Sequence, residues 1–135
     1  MGTWDTSPFG NDTAADFACE LDDLAAEDRP EAIREALLAA LRETAYLDSF
    51  EGVPAVAAAA LVAAQCPNGQ PVDSVYGPEK PIPPLPADLR PLAVRALDRV
   101  VANNSELRDL WEESTAIQEW LTEVKRLREV LSPKS

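Results

Sequence analysis

Histidine is absent from the 135 residues, and cysteine occurs only twice, at Cys19 and Cys66. Without histidine, the chain lacks the usual base of a cysteine protease and a common ligand of catalytic zinc. Two cysteines also fall short of a four-ligand zinc site and of a disulfide framework. We therefore expect two reduced, buried thiols, and we predict no metal, no cofactor and no catalytic residue.

Lysine and arginine are missing from the first 28 residues, which contain eight aspartates and glutamates. The whole chain has a net charge of -12 at pH 7. Such a surface repels nucleic acid and anionic membranes, and it attracts cationic proteins. We expect a basic protein partner, no nucleic acid and no membrane.

Long hydrophobic runs are also absent. The longest apolar run, Val53–Ala64, has 12 residues, whereas a membrane-spanning helix needs roughly 18 or more. This run is rich in alanine and predicts a buried central helix. The N-terminal residues lack the cationic and apolar regions of a secretory signal, so we expect a cytoplasmic protein.

The first predicted helix begins at Asn11 or Asp12, since either side chain can cap it. Its inward face is formed by apolar residues at spacings of three and four: Ala14, Phe17, Ala18, Leu21, Leu24 and Ala25. Acidic residues occupy the opposite face, and we call them the acidic stripe: Asp12, Asp16, Glu20, Asp23 and Glu27. The stripe is either solvated or paired with cations from elsewhere in the chain, namely Arg95, Arg99 or the cluster Lys125, Arg126 and Arg128.

Four further helices are predicted from capping residues and apolar periodicity. They begin after Asp28, after the turn formed by residues 48–52, after Asp88 and after Ser105. The last helix is predicted to run from Glu106 toward Leu131 without a break and to pack on the bundle through apolar residues at near-heptad spacing: Leu107, Leu110, Trp111, Ile117, Leu121, Val124 and Leu131. Eight of the 12 prolines lie between Pro67 and Pro91, so residues 67–87 predict an extended proline-rich strap. The sequence therefore predicts one all-α domain, residues 1–135, as a compact bundle of about five helices with a strap between helices three and four.

The N-terminal segment, residues 1–10, contains Trp4 and Phe9 together with turn-forming glycine and proline. We interpret it as a plug whose two aromatic rings bury apolar area, followed by Asn11 or Asp12 as the helix cap. The alternative is functional: Asp5, Asp12 and Asp16 would gather near Trp4 as a small pocket or a partner surface.

The opening MGTWDTSPFGNDTAAD resembles the start of the DUF4259 family of small bacterial proteins, which reads G-x-W-G-x-G-x-F-x-N-D-x-A-x-D. The matching residues are Gly2, Trp4, Phe9, Asn11, Asp12, Ala14 and Asp16, and residues 104–111 match more loosely. Asp5 and Ser7 stand where that pattern has glycine. The resemblance implies no activity and no catalytic residue.

Two main hypotheses of function follow. In the first, the protein is a non-enzymatic interaction module whose acidic stripe docks a basic partner, for example as an immunity protein or antitoxin. In the second, paired carboxylates such as Asp12 with Asp16 or Glu20 act as acid and base or bind a hard cation. Mimicry of DNA charge is a third, weaker hypothesis. Carboxylates that converge in a concave, dry site would favour the enzyme.

Overall fold

Six α-helices occupy the parts of the chain that the computed structural model describes, residues 12–66 and 82–132. They are α1 (Asp12–Asp23), α2 (Arg29–Arg42), α3 (Ser49–Ala64), α4 (Leu89–Val100), α5 (Glu106–Glu112) and α6 (Ile117–Leu131). One 3-10 turn, Ala26–Asp28, lies between α1 and α2. No strand occurs in these two ranges, and the predicted all-α class is confirmed.

Helix α3 is the centre of the core and contacts each of the other five helices. Nearly all of its residues from Gly52 to Ala63 are buried, mostly alanine and valine. Small side chains on every side allow neighbouring helices to approach closely, as the all-round apolar pattern predicts. The helix begins at Ser49, inside the segment predicted as a turn, because the Asp48 carboxylate accepts a hydrogen bond of 2.8 Å from the backbone N–H of Phe50 and caps α3 there.

The loop before α3 is joined to the loop before α5 by paired backbone hydrogen bonds. Leu47 donates to the carbonyl of Asn104 at 2.9 Å, and Glu106 donates to the carbonyl of Leu47 at 2.7 Å. The buried Ser105 hydroxyl then accepts from the backbone of Arg108, which caps α5. These contacts fix the N-terminal end of α3 against α5.

Helix α1 ends earlier than its pattern predicts. We expected Leu24 and Ala25 on its inward face, but α1 ends at Asp23 and Ala25 is exposed. The buried Arg29 side chain donates to the carbonyls of Leu21 and Leu24, each at 2.9 Å. A cation from the next helix thus binds one carbonyl in the last turn of α1 and the carbonyl just beyond its end, and it stabilises this end.

The predicted long last helix is wrong, since residues 113–116 divide it into α5 and α6. The Ser114 hydroxyl accepts from the backbone of Ala116 in this turn, and the rings of Trp111 and Trp120 stack across it with centroids 5.8 Å apart. The break also changes which residues face inward. Trp120 is buried, whereas Leu110, predicted to be buried, is 40% exposed.

Two of the predicted helix caps stand at the expected positions, but their side chains do not bind the backbone of the helix. Asp28 and Asp88 precede α2 and α4, and neither side chain makes a capping hydrogen bond. The Asp88 carboxylate instead accepts two hydrogen bonds from the Arg34 guanidinium, at 2.8 and 3.2 Å, which joins α4 to α2.

Of the predicted strap, only the last part lies within the described residues. Residues 82–86 have no regular secondary structure, and the Gln65 side chain binds them by donating to Pro83 at 3.0 Å and accepting from Leu85 at 2.8 Å. Residues 67–81 lie outside the described part, as do residues 1–11, which include the predicted plug with Trp4, Phe9 and Asn11.

Candidate functional site

The acidic stripe lies largely where the sequence predicts it. Asp16, Glu20 and Asp23 are exposed on α1, and Glu27 is exposed in the 3-10 turn that follows. Glu27 therefore does not share the helix, because α1 ends before it. Asp12 is the first residue of α1, but its side chain lies outside the part of the chain that is described.

Three of the five cations that were candidates to pair with the stripe bind other groups. Arg99 donates to the carbonyl of Glu43 at 2.8 Å. Arg126 and Arg128 form ion pairs with Glu123 and Asp98, and these hydrogen-bonded carboxylates raise the pKa of each arginine.

Arg95 and Lys125 are exposed, and no ion pair joins either to the stripe within residues 12–66 and 82–132. The structure thus favours the solvated alternative for the described acids of the stripe.

A groove of about 640 Å³ lies beside the stripe, between α1 and α2 and next to the first turns of α3. Its rims carry carboxylates: Asp16 and Glu20 on α1, and Glu35 on α2. Its floor is apolar and half-buried or exposed, and is formed by Leu24, Ala32, Ala36, Ala39, Phe50 and Pro54. We call this feature the α1–α2 groove.

Phe50 is the most exposed large apolar side chain in the described ranges, at 74% of its full accessible area. Two backbone N–H groups beside it are held by carboxylates, its own by Asp48 and that of Ser49 by Glu106, each at 2.8 Å. The aromatic ring therefore projects from a well-anchored first helical turn. Exposed aromatic groups held on rigid elements are typical anchors of protein interfaces.

The two rims of the groove differ in charge. On α2, the Glu35 carboxylate pairs with Arg42 at 2.8 Å. On α1, Asp16 and Glu20 form no ion pair with any described cation. The negative potential of the groove is consequently concentrated along α1.

Carboxylates and thiols are the metal-ligating groups of the described residues. No group of three or more Asp, Glu or Cys residues able to hold a metal occurs in residues 12–66 and 82–132. Both cysteines are free; Cys66 is buried as expected, but Cys19 is exposed, which corrects the prediction of two buried thiols. Cys19 follows the buried Ala18 by one position and so projects toward the polar face of α1. Asp16 and Glu20 of α1 share the α1–α2 groove with Glu35 of α2, but all three residues are exposed, so their carboxylates do not lie in a dry site.

Sequence reasoning missed the groove and the exposure of Phe50. The sequence analysis assigned Phe50 to the turn before α3, and a helix that is apolar on all sides does not indicate which residue near its start will remain uncovered. The sequence likewise did not predict that the half-buried alanines of α2 would form the floor of a groove, because a groove depends on the distance between two helices.

No helix among the described residues is long and apolar enough to cross a membrane.

Comparison with known proteins identifies the family of this chain. Neither the curated proteins nor the solved structures include a significant match to it. The family model described as domain of unknown function DUF4259 matches residues 2–123, which is most of the chain and includes α1, the α1–α2 groove and α5. The chain therefore belongs to the DUF4259 family.

Proposed function

We propose that this protein is a non-enzymatic interaction module that docks a basic protein partner through the acidic stripe. The observation that carries the proposal is that Asp16, Glu20, Asp23 and Glu27 are exposed and form no ion pair with the described cations named above. Asp12 is included because it begins the same helix. One concrete form is an immunity protein or antitoxin that covers a cationic site of a toxin.

Electrostatics supports this form of docking. Carboxylates spaced along a helix and left in water attract a cationic surface over a distance of about one Debye length, roughly 10 Å in 0.1 M salt. They also repel one another, at a cost of roughly 0.2 to 0.5 kcal/mol for each i,i+4 pair in an isolated helix. A cationic partner would relieve this repulsion, so the charge that slightly disfavours the free helix favours the complex.

The test compares two triple charge reversals that change the net charge equally. The stripe variant carries Asp16→Lys, Glu20→Lys and Asp23→Lys. The control variant carries Glu113→Lys, Glu119→Lys and Glu129→Lys, which are exposed residues near or on α6. Both should melt within a few degrees of the wild type, because exposed substitutions usually change stability by about 0.5 kcal/mol or less each.

Each protein is then used to capture partners from its native host, and captured proteins are purified and titrated against all three. We expect one cationic partner that binds the wild type and the control variant, fails to bind the stripe variant, and associates more slowly as salt rises. Equal binding by the two variants would falsify the proposal, since net charge alone would then explain the attraction. A stripe variant that retains every partner would also refute it.

A further inference from the structure

The α1–α2 groove is long enough to receive a helix. Its α1 side consists of residues of α1 and the residue that follows its end, at helical spacing: Thr13, Asp16, Phe17, Glu20, Leu21 and Leu24. The 12 residues of α1 measure about 18 Å, or about three turns. The α2 side has the same spacing over a shorter stretch, from Ala32 to Ala39, which is about two turns. The groove therefore follows both helices and has room for an elongated partner.

The floor of the groove favours an apolar ridge. On α2 it presents Ala32, Ala36 and Ala39, whose small side chains leave depth between the helices. Phe50 stands exposed at the α3 side and would lose most of its contact with water beneath a docked helix. Helix-in-groove recognition has this form, in which apolar anchors at i, i+3, i+4 and i+7 enter a hydrophobic trough.

Charge indicates which helix would fit. The α1 rim carries Asp16 and Glu20, without an ion pair to any described cation, whereas Glu35 on the α2 rim is paired with Arg42. A second copy of this chain is disfavoured because both copies would carry a net charge of -12. An amphipathic helix with lysine or arginine along one flank complements both the floor and the α1 rim.

We propose that the α1–α2 groove binds a cationic amphipathic helix of the partner, with its apolar ridge against Phe50 and its basic flank along Asp16 and Glu20. This inference rests on the proposed docking of a basic partner and deepens it, because it divides the acidic stripe into two parts. Asp16 and Glu20 line the groove and would contact the helix, whereas Asp23 and Glu27 lie outside its walls. The two pairs carry the same charge but differ in position.

The probe is a synthetic helical peptide of three to four turns, with leucine on one face and lysine along one flank, labelled with a fluorophore. A peptide of identical composition in scrambled order is its control, since it keeps the charge and loses the apolar ridge. Fluorescence anisotropy measures the affinity of both for the full-length protein. We expect the amphipathic peptide to bind at least tenfold more tightly than the scrambled one, a difference of about 1.4 kcal/mol.

Matched variants locate the binding. Phe50→Ser should weaken binding of the amphipathic peptide about tenfold or more, whereas Leu110→Ser, at an exposed leucine of α5 that does not line the groove, should leave it within twofold. Asp16→Lys with Glu20→Lys should weaken binding about tenfold or more. The equally charged pair Asp23→Lys with Glu27→Lys should have a clearly smaller effect.

Four results would overturn the inference. In one result, the two acidic double variants weaken peptide binding equally, while Phe50→Ser and scrambling of the peptide have no effect. The groove is then not the site, although the acidic-stripe proposal stands. If Phe50→Ser matters and neither acidic pair does, the occupant is not basic. If the peptide binds only after Trp4→Ala with Phe9→Ala, or if the wild type dimerises and Phe50→Ser prevents this, the groove belongs to the chain's own N-terminal segment or to a second copy.

The proposed function can fail separately from the groove. A tight, groove-dependent complex with the synthetic helix, together with a host partner that ignores the acidic stripe, would leave the groove as a binding site and refute the proposed function.

Discussion

Gly52 offers a sensitive test of how closely α3 packs against its neighbours. Gly52 is buried in α3 and has no left-handed backbone angle that would require glycine. A Cβ atom placed on it would lie 3.6 Å from Cβ of Leu107 and 3.7 Å from Cδ2 of Leu47. These are ordinary van der Waals distances, so a methyl group fits without displacing either leucine.

Two contributions set the expected gain of Gly52→Ala. Replacing a helical glycine removes backbone freedom from the unfolded chain, worth about 0.4 to 1 kcal/mol. The added methyl group also makes contacts on both sides, and full burial of such a group contributes up to about 0.8 kcal/mol. We therefore expect stabilisation of about 0.5 to 1.5 kcal/mol, and a rise in melting temperature of about 2 to 6 °C.

The assay is urea unfolding followed by circular dichroism, with Gly52→Val as the comparison. Valine adds two further methyl groups where Leu47 and Leu107 already lie within contact distance, and overpacking of this kind costs about 1 to 3 kcal/mol. A destabilising Gly52→Ala would refute the reasoning, since it would mean that α3 and α5 lie closer together than the structure shows. A tolerated Gly52→Val would mean that they lie farther apart.

Three further predictions concern contacts between elements. Arg29→Met should destabilise the protein by about 1.5 to 3 kcal/mol in urea unfolding, because buried hydrogen bonds from a charged group to the end of α1 are lost; Arg42→Met, at an exposed ion pair, should cost about 1 kcal/mol or less. The hydrogen bond from Tyr46 to the Asp109 carboxylate raises the pKa of Tyr46 from 10.0 to about 12. The contribution of this hydrogen bond to stability is therefore complete below pH 10 and is lost as pH rises toward 12. In an ultraviolet titration that follows tyrosinate formation, Tyr46→Phe should remove the ionisation step that occurs near pH 12. The hydrogen-bonded Arg34 guanidinium lowers the pKa of Asp88 below its ordinary value of 3.8. The contribution of this ion pair to stability is therefore complete above that pH and is lost in stronger acid. Asp88→Asn should accordingly reduce the acid dependence of the melting temperature.

Each of these three predictions can be contradicted by a specific result. Equal costs for the Arg29 and Arg42 substitutions would show that the end of α1 does not depend on the buried guanidinium. A tyrosinate titration that is unchanged by Tyr46→Phe would mean that the hydrogen bond to Asp109 is not formed in solution. Melting temperatures of Asp88→Asn that fall with acid as steeply as those of the wild type would exclude the ion pair with Arg34 as a source of that dependence.

The sequence by itself determined features that depend on neighbouring residues. Ser105 caps α5 as predicted, because a capping side chain needs only the next two or three backbone N–H groups. The Asp48 cap of α3 is equally local, although α3 begins inside the segment that was predicted as a turn. The exposure of Asp16, Glu20 and Asp23 follows from helical periodicity, since residues opposite the apolar face of α1 must meet solvent. The central position of α3 follows from its uniformly apolar, small side chains. In each case the controlling information lies within a few residues.

Only the tertiary structure decided where helices end and what lies between them. Arg29 ends α1 from the next helix, Asp88 pairs with Arg34 54 positions away instead of capping α4, and the break before α6 changes the buried face to include Trp120. The α1–α2 groove and the exposed Phe50 depend on the separation of three helices. Periodicity assigns a residue to a face of its own helix, whereas coverage of that face depends on contacts between residues far apart in the chain.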